Sequence, residues 1–153
     1  MTLQSYLTDL TKKSGPIKHQ GLHQLSSLSN AEVLEFVASW PRIPLERRRE
    51  TLERMIELAA DNLELDFTAV LRACLTDGNE TVREQATRGL WECEDRVVIR
   101  PLVSLLANDP AAEVRSAAAI TLGKFAELAR NGKLLERDCS RILESLLAVV
   151  DRD

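Results

Sequence analysis

The chain has 153 residues, 44% hydrophobic and 29% charged, with a formal net charge of −4. One domain of that length buries roughly 70% of the surface its unfolded chain exposes. The acidic balance argues against a general nucleic-acid binder, which carries a basic excess, and no apolar run approaches the ~20 residues of a membrane helix.

Aromatic residues make up only 4% of the chain, whereas Ala and Leu abound. That bias favours helices, because both are good helix formers and few β-branched runs compete. Cys74, Cys93 and Cys139 are an odd number without metal-type spacing. They suit a reducing compartment and thiols that act as small apolar fillers. The opening MTLQSYLTDLTKK lacks the long apolar core of a signal peptide, so a cytoplasmic protein is expected.

In chain order, residues 1–28 hold one or two short helices around Gly15-Pro16 and Gly21. NAEVLEFVASW, 30–40, and PLERRRETLERMIELAADN, 44–62, read as two further helices, separated by Pro41 and Pro44. Leu45, Leu52, Met55, Ile56 and Ala59 give the second an apolar stripe.

Two later stretches superpose at a fixed offset of 32 residues. DGNETVREQATRGLWEC, 77–93, overlays DPAAEVRSAAAITLGKF, 109–125. Asp77 falls on Asp109, Val82 on Val114, Arg83 on Arg115, Ala86 on Ala118 and Leu90 on Leu122. A constant period near this length indicates stacked repeats, each a helix pair that cannot bury its apolar face alone. Val82, Ala86, Gly89, Leu90 and Cys93 share one helical face, as do Val114, Ala118, Leu122, Phe125 and Ala129. Asn79 is placed to cap the first of these helices, and Pro101 sits near the start of the helix before the second. Ala117, Ala118 and Ala119 permit close helix approach. Downstream, NGKLLERD, 131–138, reads as a connector, and CSRILESLLAVVDRD as the first helix of another unit. Its second helix is absent. The expectation is a fragment of a longer array, or an end that a partner covers.

Neither the tetratricopeptide nor the ankyrin signature occurs. The pattern L-x-x-x-L…D-x-x-x-x-V-R-x-x-A-x-x-x-L resembles the HEAT repeat, in the short form also called the PBS-lyase HEAT-like repeat, over about 66–130. The resemblance implies an all-α fold, a right-handed α-solenoid of stacked helical hairpins. One domain then covers 1–153, with an irregular N-terminal cap and degenerate repeat over 1–62. Repeats follow at 63–94 and 95–131, and a partial C-terminal repeat at 132–153. The Val-Arg pair is missing from the degenerate repeat, as suits a terminal capping unit. The resemblance also implies that Asp77, Arg83, Asp109 and Arg115 form a ladder between successive turns, and that second helices line the concave side.

No catalytic constellation occurs, so no enzyme, cofactor or metal is expected. His19 and His23 are four apart, but lack a third ligand of matching spacing, and Gly21 weakens the helix between them. Arg42, Arg47, Arg48, Arg49 and Arg54 are interleaved with Glu46, Glu50, Glu53 and Glu57. A solvated, charge-mixed face with a Glu50–Arg54 pair is expected, rather than a phosphate groove. Extending the helix through 94 places Trp91 opposite the apolar face with Glu84 and Arg88. One period later the outward set is Ser116, Ile120, Gly123 and Glu127. There Trp91 either seals the stack against Gly123 and Ile120 or forms an exposed interface hot spot.

The expected function is a non-catalytic protein-binding scaffold. Its candidate contacts are Glu84, Arg88, Trp91, Ser116, Ile120 and Glu127, and self-association through the C-terminal end is an option. Short HEAT-like repeats also occur in enzymes that attach bilins to phycobiliproteins and in DNA-repair glycosylases, the two alternatives.

Overall fold

A computed structural model describes residues 1–152 of the chain, with side chains to Asp151, and no strand occurs among them. Asp153 of the expected C-terminal turn lies outside the described residues. Eight α-helices are described: α1 Leu3–Leu10, α2 Asn30–Ser39, α3 Leu45–Asp61, α4 Thr68–Cys74, α5 Glu80–Gly89, α6 Ile99–Asn108, α7 Ala112–Arg130 and α8 Glu136–Arg152. Short 3-10 turns cover His19–Leu25, Trp40–Arg42 and Arg96–Val98. The chain forms two compact units, Met1–Ala86 and a second from Thr87 onward.

In the first unit the helix starts follow from local polar chemistry. Ser29 accepts a bond from the Glu32 amide at 3.2 Å, and the Glu32 carboxylate accepts one from the Ser29 amide at 3.1 Å. That reciprocal capping box starts α2, and it holds the Glu32 carboxyl below its usual range. Asn79 caps α5 as expected, its side chain accepting from the Thr81 and Val82 amides at 2.9 and 3.3 Å. Gly21 lies against the Tyr6 ring with no room for a β-carbon. α2 packs on α1 and α4. Gln85 of α5 donates to the Arg49 carbonyl of α3 at 2.9 Å. First helices therefore neighbour first helices, and second helices neighbour second helices, as in a solenoid of hairpins.

Helix α3 aligns with α5 and α7 by position along the helix. Arg48, Arg83 and Arg115 each stand fourth in their helix, counting from Leu45, Glu80 and Ala112. At the preceding position Val82 and Val114 are buried, and so is Arg47. The buried sets continue as Thr51, Ala86 and Ala118, and then as Met55, Leu90 and Leu122. So an Arg-Arg pair replaces Val-Arg. Arg47 is buried because its guanidinium donates to the Leu10, Gly15 and Asp9 carbonyls at 2.9, 2.6 and 3.3 Å. These bonds fasten α1 and its following loop onto α3. Only part of the arginine cluster is therefore a solvated face. Arg54 does pair with Glu50 at 2.7 Å, the expected i,i+4 bridge.

Arg48 spans two successive turns. It meets the Asp77 carboxylate at 2.8 and 3.0 Å. The same carboxylate accepts the Trp40 indole N–H at 2.7 Å and the Asn79 amide at 2.8 Å. Trp40 in turn stacks on Phe36. Beneath this network burial, and secondarily the Asp77 charge, push the Cys74 thiol well above its usual range, while Arg48 acts in the opposite sense.

In the second unit α6 pairs with α7, and both pack against α8. Val114, Ala117, Ala118, Leu122 and Phe125 form the buried face of α7. Ala129 is only half-buried, and Leu128 takes the inward place at the end of the helix. Thr121, also buried, donates to Ala117 and to the Thr87 carbonyl at 2.9 and 3.3 Å. That bond ties the end of α5 to the middle of α7. The connector is shorter than the sequence pattern predicts, because α8 begins at Glu136 rather than after residue 138. Asp138, in its first turn, is buried and bonds Arg96 at 2.9 Å. The Arg96 bond holds the Asp138 carboxyl below the usual range.

Two predictions follow from the first unit. Asp77→Ala strips charge partners from a buried network and should cost about 3 kcal/mol, whereas Trp40→Phe, which removes one hydrogen bond, should cost about 1 kcal/mol. Urea unfolding followed by circular dichroism orders the two, and equal losses would contradict the network. Tyr6, the one tyrosine, is pushed up to about 12, first by burial and then by Asp9. The unfolded phenol titrates near about 10, so the neutral ring's stabilisation is complete below that pH and disappears as pH rises through the folded value. Phenolate absorbance should therefore emerge together with loss of helix, and the Tyr6→Phe protein should lose less stability across that interval. Phenolate forming near pH ~10 with helices intact would contradict this burial.

Candidate partner-binding surface

The two inter-helix turns at Asp77, between α4 and α5, and at Asp109, between α6 and α7, have the same internal wiring. The Asp77 carboxylate accepts the Asn79 amide at 2.8 Å, and the Asp109 carboxylate accepts the Ala111 amide at 2.9 Å. Arg83 donates to the Asp77 carbonyl at 2.9 Å, and Arg115 to the Asp109 carbonyl at 2.7 Å. Each arginine thus clamps the turn before its own helix. Arg48, which sequence analysis assigned to a solvated face, makes a ladder contact of this kind to a following turn, at Asp77. Both aspartates are buried, so these charges build turns rather than offer a surface.

The outward row of α7 is exposed as the helical spacing requires. Ser116, Ile120, Gly123 and Glu127 all face solvent, Ile120 with 50% of its surface free. A β-carbon added at Gly123 would meet nothing within 4 Å. Helix α7 therefore carries an uncovered glycine in its interior, which costs roughly 0.5–1 kcal/mol against alanine.

Trp91 departs from its expected placement. α5 ends at Gly89, not at residue 94. Glycine is a poor helix former, and tight three-residue bonds follow it. Leu90 donates to Thr87, Trp91 to Arg88 and Cys93 to Leu90, at 3.1, 3.1 and 2.9 Å. Trp91 therefore sits in a turn, where an angle extrapolated along a continuous helix no longer holds. Its ring is 46% exposed, and the open space above Gly123 rules out sealing against that residue. Arg88 is exposed beside it in sequence. Glu84 is half-buried. Arg88, Trp91, Ser116, Ile120 and Glu127 are thus all exposed, and all belong to the second unit.

Elsewhere, a polar cleft of about 470 Å³ is lined by His19 and by Glu50, Glu53, Arg54, Glu57, Leu58 and Asp61. His23 is not part of it. The histidines lie on a 3-10 turn, where residues four apart diverge by about 120°. Among the described residues no three His, Cys, Asp or Glu side chains are placed to hold a metal. No helix among them is long and apolar enough to cross a membrane.

Residues 68–148, more than half of the chain, match the family model for HEAT repeats. The chain belongs to the HEAT-repeat family. The family match spans α4 to α8, so the matched HEAT repeats contain both turns and the whole α7 row. No curated protein and no solved structure matches the HEAT-repeat chain significantly.

The uncovered α7 row makes two measurable claims. Gly123→Ala should stabilise the protein by roughly 0.5–1 kcal/mol, because the methyl meets open space and the unfolded chain loses freedom. Destabilisation in urea would place a neighbour over that glycine. Of the two tryptophans, Trp91 should be readily quenched by acrylamide and Trp40 protected. The emission left in Trp91→Phe should therefore resist quencher.

Proposed function

We propose that this HEAT-repeat chain is a non-catalytic protein-binding scaffold of a reducing, cytoplasmic compartment. Contact is made through the outward row of its second unit. The repeat boundaries that accompany this reading are 63–94, 95–131 and 132–153, after a cap and degenerate repeat over 1–62. The observation that carries it is the exposed pair Trp91 and Ile120, next to a bare glycine on a helix whose other face is closely packed. Large apolar side chains left in water beside charged neighbours are the composition of an interface anchor. Packed hairpins hold that row rigid, so little ordering is lost on docking. Glu127 and Arg88 flank the anchors and bias partner choice through charge.

The DNA-glycosylase-like alternative has less support. Arg47 and Arg48, two of the five clustered arginines, are committed to carbonyls and to Asp77, which leaves fewer cations for phosphates. The bilin-lyase-like alternative has no matching pocket chemistry behind it.

The test is affinity capture from the native cell, comparing the wild-type chain with a Trp91→Ala, Ile120→Ser double variant. Both positions are solvent-facing, so the variant's stability should stay within about 0.5 kcal/mol. Specific captured proteins should be lost with the variant and retained with Leu63→Ser, an exposed apolar position in the first unit. Identical captures from wild type and double variant would remove the α7 row from the function. A gel shift on duplex DNA at low salt, or an absorbance shift with free bilin, would favour the corresponding alternative.

A further inference from the structure

Helix α2 leaves an apolar face in water although it packs on both α1 and α4 and is an inner member of the first unit's helices. Its buried side carries Phe36 and Trp40, which stack on each other. On the other side Leu34 and Val37 are 72% and 49% exposed, and Ala38 and Pro41 are exposed with them. Counting about 100° per residue along α2 and about 120° through the 3-10 turn that continues it, these four fall within an arc of about 100°. The neighbouring helices do not share this character. α1 exposes Gln4, Ser5 and Thr8, and α4 exposes Arg72. A continuous apolar stripe between helices with polar outer faces exceeds the scattered apolar exposure normal for a surface.

The charges beside the stripe say what covers it. Glu35 and Arg42 are both exposed. On the same angular count they fall within about 20° of each other, on one flank of the stripe. They stand seven residues apart, as do Leu34 and Pro41, and both pairs are centred within one residue of Ala38. An antiparallel twofold through that point reverses the chain direction and keeps the same flank on the same side of both helices. It therefore sets Glu35 opposite Arg42 of a second copy, and Arg42 opposite that copy's Glu35. The small Ala38 at the crossing lets the two helix axes come close. The face is thus complementary to itself in charge as well as in apolar character. An anionic membrane is a poor fit, because interfacial helices carry Lys and Arg beside their apolar face, and here Glu35 offsets Arg42.

We propose that the Leu34–Val37–Ala38–Pro41 face of α2 is a self-association surface, on which a second copy of this chain docks antiparallel about Ala38. Apolar burial supplies the affinity, and the two crossed Glu35–Arg42 pairs set direction and register. A single helix pair is small beside a standard interface, so the dimer is weak and reversible. The surface belongs to the first unit and does not depend on the Trp91–Ile120 reading.

The test is analytical sedimentation of the full chain over rising concentration, up to about 1 mM. Wild type should pass reversibly from monomer to dimer. Leu34→Asp should stay monomeric with an unchanged circular-dichroism melt, since that side chain faces solvent in the monomer. Glu35→Arg and Arg42→Glu each set like charges against one another in the dimer, and each should weaken it by about tenfold. The Glu35→Arg, Arg42→Glu double variant should recover wild-type association. An equimolar mixture of the two single variants should form a heterodimer more readily than either variant pairs with itself. A wild-type chain that stays monomeric at the highest concentration would overturn the proposal. So would a dimer indifferent to Leu34→Asp, or single charge variants that are not rescued by combination or by mixing. Co-sedimentation with phosphatidylserine-containing vesicles that is lost in Leu34→Asp would assign the face to a membrane instead.

Discussion

The constraint on which the second unit depends is the close approach of α6 and α8 to α7, a helix whose inward face is built largely from small side chains. Burying a methyl group is worth about 0.8 kcal/mol, against roughly 1.5–3 kcal/mol for a leucine side chain. A helix whose inward face reads Val114, Ala117, Ala118, Thr121 gains little from any single neighbour. It is held because α6 and α8 both pack against it, and because Thr121 makes a main-chain bond to Thr87. The small side chains let these neighbours come near enough for main-chain and side-chain polar groups to meet. Gln85 with Arg49 plays the corresponding part in the first unit. Packing and polar ties are thus one device, since the short side chain that limits apolar burial is what permits the hydrogen bond.

Polar residues then fix the turns between paired helices. An aspartate turns its carboxylate onto the amide two residues later, and an arginine six residues on clamps the aspartate's own carbonyl. The unit is local, so it can be copied along a chain without adjustment to the neighbours. In α3 the arginines at the corresponding positions make other contacts. Arg47 occupies the valine position and turns inward to three carbonyls of the N-terminal segment, while Arg48 reaches Asp77 of the next turn. A buried guanidinium with several donors satisfies several free carbonyls of the N-terminal segment at once.

How far the sequence discloses this follows from how local each signal is. The helices, the Asn79 cap and the outward α7 row depend on residues within a few turns of each other, the 32-residue register shows as a repeated motif, and all were legible. Arg47 and Arg48 were misread because their partners lie 29 to 38 residues away, at Asp77, Leu10, Gly15 and Asp9, and no short-range pattern announces them. The fourth-position rule would have found Arg48 had the start of α3 been fixed first. Trp91 was misplaced for a different reason. Gly89 ends α5 five residues early, and a helical angle propagated past a helix end has no meaning. Of the candidate surface, the α7 members were legible from spacing alone, whereas the exposure of Trp91 required the actual course of the turn.

The division between structural and surface residues in this chain runs against a first reading of its charges. The most patterned charges, Asp77, Arg83, Asp109 and Arg115, are spent inside turns, and two of the densest run of arginines are spent inside the first unit. What stands out among the exposed residues of the second unit is apolar: Trp91 in the turn after α5 and Ile120 on the outward row of α7. That ordering follows from the repeat itself. A charge that recurs with the period is needed wherever the turn recurs, and its environment is the same each time. A residue that breaks the period, such as tryptophan where the next repeat has glycine, has no equivalent neighbour to satisfy and is left facing water. In a repeat protein the departures from periodicity, rather than the repeated positions, are therefore where recognition can be specific.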